Sequence, residues 1–128
     1  AEQGNVDAQS YVGIMYYYGE GTLTDKKKAF SWLKKSADQG HGGAQYNLAL
    51  MYYNGEGTLT DKKKAFSLFE KSGEKGFPEA QFMLGVMYHD GEGVLTDKKK
   101  AAYWIRRSYE SGYDEAKEFW DENELYKY

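Results

Sequence analysis

The side chains that could do chemistry here are two histidines, a carboxylate recurring in Gly-Glu-Gly turns, and three identical lysine runs. His41 and His89 could serve as general bases or metal ligands, but neither is accompanied by a recognisable Ser or carboxylate motif, and there are no cysteines. His89-Asp90 is adjacency in sequence rather than a dyad. Glu20, Glu56 and Glu92 sit between glycines, as in Gly55-Glu56-Gly57. Those turns lack the GxxxxGK[ST] or GxGxxG spacing of a phosphate loop, and glycines that end helices account for them better. The residues therefore assign no catalytic group, and neither metal nor cofactor is expected. Lys26–Lys28, Lys62–Lys64 and Lys98–Lys100 supply nine of the 17 basic residues. They read first as solvated helix starts, and alternatively as a ladder that binds an anionic polymer or a membrane surface. Against that alternative, the repeated glutamates lie nearby, no aromatic residues interleave the lysines, and a net charge of −3 gives no general reason to expect nucleic acid. No apolar run approaches the roughly 18 residues of a membrane span.

What must position these groups is a repeat. Ala8-Gln9 returns as Ala44-Gln45 and Ala80-Gln81, and Ala116 keeps the same 36-residue register. The run Leu23-Thr24-Asp25-Lys26-Lys27-Lys28-Ala29 returns unchanged at 59–65 and 95–101. Gly40, Gly76 and Gly112 close the units, which fall at 5–40, 41–76 and 77–112 with 113–128 as a terminal cap. Self-similarity at this period marks stacked supersecondary units. Each unit predicts two helices. The first, called A, runs near Asp7–Tyr17, Gly43–Tyr53 and Pro78–His89, with Pro78 suited to a first helical position. The second, B, is capped by Asp25, Asp61 and Asp97, whose carboxylates can accept the free amide protons of a first turn.

At about 100° per residue, the first B helix puts Ala29, Leu33, Ser36 and Ala37 on one side and its lysines on the other. Helix A is apolar on two sides: Ala8, Val12, Met15 and Tyr16 form one strip, Ile14 and Tyr17 another. An element apolar on two sides needs two neighbours, so A is expected inside and B outside. The small residues Gly13, Ala49 and Gly85, and Ala29, Ala65 and Ala101, are expected to tolerate little added bulk.

The stretch 44–57, with Asp61, Ala65 and Gly76, resembles the Sel-one-like repeat (SLR), a relative of the tetratricopeptide repeat. The resemblance covers essentially the whole chain. It implies an all-α fold, a right-handed α-α superhelix (solenoid) of antiparallel helix pairs. It also implies a bacterial adaptor that binds a protein or peptide, with a tendency to export or a periplasmic location and a cytoplasmic one left open. A weak hydrolase or small-molecule binder is the lesser alternative, and the residues themselves argue against an enzyme. The absence of Cys means that the disulfides of the cysteine-rich branch cannot be carried over.

Mapped by resemblance onto the tetratricopeptide groove, the concave face takes Ser10, Ile14, Tyr17 and Tyr18 from the first A helix. It takes Tyr46, Leu50, Tyr53 and Asn54 from the second, and Phe82, Val86, His89 and Asp90 from the third. The cap adds Glu118, Glu122 and Leu125. Tyrosine suits recognition because it offers a large area, a polar tip and few rotamers to freeze. A guest peptide is expected to lay apolar side chains on Tyr46, Tyr53 and Phe82 and a basic one opposite Glu118 and Glu122. The alternative duty for these residues is packing between helices. Ala1-Glu2-Gln3-Gly4 matches 37–40, so the chain is expected to open on the last turn of a preceding B helix. Residues 113–128 read as one more A helix, made polar by Asp121 and its neighbouring glutamates as a solenoid end requires. With its apolar faces used internally, the chain is expected to be a monomer.

Overall fold

The computed structural model describes residues 2–19 and 24–128. Ala1, Glu20, Gly21 and Leu23, on which parts of the repeat reading fall, lie outside the described residues. Among the described residues seven helices follow one another: α1 Glu2–Tyr18, α2 Lys26–Asp38, α3 Gly42–Asn54, α4 Lys62–Glu74, α5 Pro78–Asp90, α6 Lys98–Glu110 and α7 Asp114–Glu122. A single 3₁₀ turn, Leu125–Lys127, ends the chain. Among the described residues there is no strand, and no helix is long and apolar enough to cross a membrane. Substantial packing joins only helices that are neighbours along the chain, apart from the final turn, which lies on both α6 and α7. This is the contact pattern of a helical solenoid.

Local chemistry explains where each helix starts and stops. The carboxylates of Asp25, Asp61 and Asp97 accept hydrogen bonds of 3.0 Å from the amides of Lys28, Lys64 and Lys100. α3 is capped by His41, whose Nδ1 accepts the Ala44 amide at 3.0 Å. That role leaves the ring proton on Nε2, which lies 2.9 Å from Asp7 Oδ1. Gly55 and Gly91 end α3 and α5 at φ of 71° and 73°, the left-handed conformation that glycine adopts without a Cβ clash.

The A and B helices bury different fractions of their circumference. α2 hides only the stripe Ala29, Leu33, Ser36 and Ala37, whereas α3 hides Ala44, Gln45, Leu48, Ala49, Met51 and Tyr52. Close approach is set by small residues on A facing large ones twenty positions later on B. A Cβ added at Gly13 would come within 2.7 Å of Leu33 Cγ, and one at Gly85 would collide with Ile105. Buried serines clamp each pair: the hydroxyls of Ser36, Ser72 and Ser108 donate to the carbonyls of Val6, Gly42 and Pro78 at 2.8, 3.0 and 2.7 Å. Buried glutamines clamp one pair to the next, Gln45 donating to Ala37 O at 3.3 Å and Gln81 to Gly73 O at 3.0 Å.

Two expectations need correction at the ends. Residues 2–5 are helical and continuous with α1, and Gly4 stays helical where Gly40, Gly76 and Gly112 turn to positive φ. No described helix packs there to enforce a turn, and a helical glycine costs only about 1 kcal/mol. For the same reason Ala8, expected in an apolar strip, is exposed while Ala44 and Ala80 are fully buried. At the other end the last A helix stops at Glu122. Asn123 caps it, Glu124 takes a left-handed φ of 52°, and the chain folds back so that Leu125 is buried beside Ala102, Ile105 and Ala116.

Candidate protein-binding face

The A helices contribute the line expected to face a guest, and the structure divides that line into four groups. Ser10 and Leu125 are buried and offer nothing to a partner. Burial of Ser10 follows from its position on the α2 side of α1, and burial of Leu125 from the turn just described. A second group packs sideways. Phe82 lies between Tyr113 and Phe119, with ring centroids 5.4 and 5.8 Å away, and with Val86 it borders the core that seats the cap. Tyr46 stands 5.9 Å from Phe69, and burial first, then the nearby Tyr113 and Glu79, pushes its hydroxyl pKa up to about 12. His89 meets the edge of Phe119 at 5.3 Å and bonds its Nδ1 to Asp90 at 2.9 Å.

Tyr17 and Tyr53 are half-buried, and both serve a contact that was not legible as such. The Tyr17 hydroxyl donates to Glu56 Oε1 at 2.7 Å, Lys26 Nζ lies 3.3 Å from Glu56 Oε2, and the same ammonium sits 3.3 Å above the Tyr17 ring. One repeat later Tyr53 donates to Glu92 at 2.7 Å, with Lys62 Nζ 2.8 Å from Glu92 and 3.9 Å above the Tyr53 ring. The glutamates of two Gly-Glu-Gly turns, Glu56 and Glu92, therefore latch onto the tyrosine and first lysine of the preceding unit. Burial, then the bond to Glu56, pushes the Tyr17 pKa up to about 12, and the Tyr17 bond holds the Glu56 carboxyl below its ordinary range. The signal was present in the sequence: the tyrosine and glutamate are 39 residues apart and the lysine and glutamate 30 apart in both copies. In the last unit His89 replaces the tyrosine, and Lys98 instead donates to the His89 carbonyl at 3.1 Å.

What stays open is narrower than the expected groove. Tyr18, 67% exposed, sets its ring edge-on to Tyr17 at 4.9 Å. With Ile14, Tyr17, Leu33, Asn47 and Leu50 it borders a recess of about 40 Å³ between α1 and α3. That is room for water or one small side chain, far below the roughly 300–1,000 Å³ of a drug-sized ligand site. Asn54, Asp90, Glu118 and Glu122 are exposed. Asn47, absent from the expected line, belongs to it because it lies three residues before Leu50, on the same helix face. Helices α1, α3 and α5 carry no Lys or Arg. Among the described residues no three His, Cys, Asp or Glu side chains gather to hold a metal ion.

Comparison with known proteins places this architecture. No curated protein matches the chain. A Sel1 repeat protein from Oxalobacter formigenes superposes with a TM-score of 0.85 at 32% identity, covering 89% of this chain and 47% of its own. A protective antigen of uropathogenic Escherichia coli strains with an SLR fold gives 0.85 at 41% identity, covering 90% and 25%. The chain thus spans about half and a quarter of those two. Helicobacter pylori cysteine rich protein B shares the fold, with a TM-score of 0.75 at 23% identity over 93% of this chain and 91% of its own. The Sel1 repeat model matches at residues 6–41, 43–77 and 78–113, and with three matched copies over most of its length the chain belongs to the Sel1 repeat family.

Proposed function

We propose that the protein is an adaptor that holds a partner's peptide segment against the exposed face of its A helices. Sel1 repeat proteins are generally protein-interaction modules, typically without enzymatic activity. The observation that carries the reading here is the recess between α1 and α3, where Ile14, Tyr18, Asn47 and Leu50 leave a notch of mixed apolar and polar lining beside an exposed aromatic ring. An apolar anchor seated beside a tyrosine is how small interfaces gain most of their energy. The charge on this face supports a basic guest. Asp90, Glu118 and Glu122 are exposed, and α1, α3 and α5 offer no cation to oppose them. Phe82, Tyr46, Tyr17 and Tyr53 contribute by holding the wall in place, and Val86 and His89 by seating the cap.

The test uses exposed positions, of which Asn54 also bonds the Glu56 carboxylate. Tyr18→Ala combined with Asn54→Ala removes two exposed side chains. Binding to a panel of basic, apolar-spaced peptides, read by fluorescence anisotropy, is expected to weaken by roughly tenfold or more. Unchanged affinity, with helicity preserved by circular dichroism, would remove this face from the binding site.

A further inference from the structure

The edge formed by the turns between A and B helices has features that folding does not explain. Leu59 and Leu95 are 87% and 89% exposed, the most exposed of the large apolar residues among those described. Past the threonine and capping aspartate that follow each, the first turn of a B helix carries three lysines, where the positive end of the helix dipole disfavours cations. Lys62 is occupied by Glu92, and Lys64 and Lys100 lie over the rings of Tyr52 and Tyr88 at 5.4 and 5.6 Å. Lys63 and Lys99 are exposed and have no partner among the described residues.

The units have diverged elsewhere: Phe30-Ser31-Trp32-Leu33 corresponds to Phe66-Ser67-Leu68-Phe69 and to Ala102-Tyr103-Trp104-Ile105. Across the same copies the block from leucine to the first alanine of helix B is identical. The aspartate has its cap and the alanine its place in the core, but among the described residues Leu59, Leu95 and the middle lysines Lys63 and Lys99 have no structural duty that would hold them constant. The edge is also continuous. Gly57, at φ 72°, rests against the carbonyl of Lys26, and Gly93, at φ 70°, against that of Lys62, so each turn is seated on the start of the preceding B helix.

We propose that this edge docks on an anionic lipid surface, with Leu59 and Leu95 inserted among the acyl chains near the headgroups and Lys63 and Lys99 facing the lipid phosphates and carboxylates. Lysine suits this role because its stem lies along apolar surface while the ammonium stays in water. Each added lysine strengthens attraction to an acidic leaflet. A protein partner fits less well, since leucine and lysine are both under-represented where protein interfaces concentrate their energy. A nucleic acid would leave the leucines without a role and would lack the stacking rings of a single-strand site. The exposed acids Asp90, Glu118 and Glu122 belong to the A helices and the cap, so this edge is a surface separate from the peptide face.

Sedimentation of the whole chain with vesicles tests this. Mixed phosphatidylserine–phosphatidylcholine vesicles at low salt are expected to bring the protein down, and phosphatidylcholine alone is expected not to. Leu59→Ser with Leu95→Ser, and separately Lys63→Gln with Lys99→Gln, should each weaken binding by roughly tenfold or more. All four positions are exposed, so circular dichroism should be unchanged. Tyr18→Ala with Asn54→Ala should leave vesicle binding as it is, which keeps this result apart from the peptide test. Failure to sediment with acidic vesicles overturns the proposal, as does binding that ignores the leucine pair. Retention of heparin or RNA that depends on the lysines alone would identify a polyanion site and overturn it equally.

Discussion

At the scale of single residues, one atom stands out. Gln81 Oε1 is buried without a hydrogen-bond partner among the described residues. One repeat earlier, Gln45 Oε1 accepts from Lys75 at 3.0 Å, and two repeats earlier Gln39 donates to Gln9 Oε1 at 2.7 Å. Thirty residues beyond Gln81 stands Ser111, whose short side chain bonds its own helix at Arg107 O. The register supplies a long donor twice and omits it the third time. Ser111→Lys should therefore stabilise the chain by about 0.5–1.5 kcal/mol, measured by urea denaturation. The mutant hydrogen bond replaces one that serine makes locally, so the gain lies at the lower end if the Arg107 carbonyl is left dry. No gain at all would mean that Gln81 already satisfies its oxygen with water.

Between elements, stability is shared between packing and the Tyr-Lys-Glu latch. Glu56 is held below its ordinary 4.5 chiefly by the Tyr17 hydroxyl, with Lys26 assisting. A depressed carboxylate contributes stability above 4.5, and that contribution disappears as pH falls through the folded-state value. Glu56→Gln keeps an oxygen for Tyr17 but loses the charge. It should cost about 1 kcal/mol at neutral pH, discounted for partial exposure, and the gap from wild type should close in acid. A constant gap from pH 7 down to 3 would show that the latch charge adds nothing. The helices themselves were legible because caps, glycines and periodicity are local signals: Asp61, Gly55 and the stripe from Ala29 to Ala37 each sit where expected. The latch was not, because Tyr53 and Glu92 meet only through stacking, and a periodic tyrosine on an A helix looks alike whether it faces a guest or a neighbour. Leu125 was missed for a related reason, since a single left-handed residue at Glu124 redirects the chain.

For the whole molecule, the consequence is that damage should stay local. Substantial contacts run only between successive helices, so stability is a sum of unit and neighbour terms rather than the property of one shared core. Gly85 lies against Ile105 so closely that an added Cβ already collides. Gly85→Leu should destabilise the α5–α6 pair by at least about 1–3 kcal/mol, because neither helix can back away without opening the serine clamp at Ser108. In a solenoid that loss falls on α5, α6 and the cap seated on them, and it weakens with each interface crossed toward α1. Amide hydrogen exchange read by mass spectrometry should therefore show protection falling most in peptides from 78–128, less in 42–75, and least in 26–38. A loss of equal size in every peptide would mean that the three units unfold as one body, and the nearest-neighbour account of this array would have to be given up.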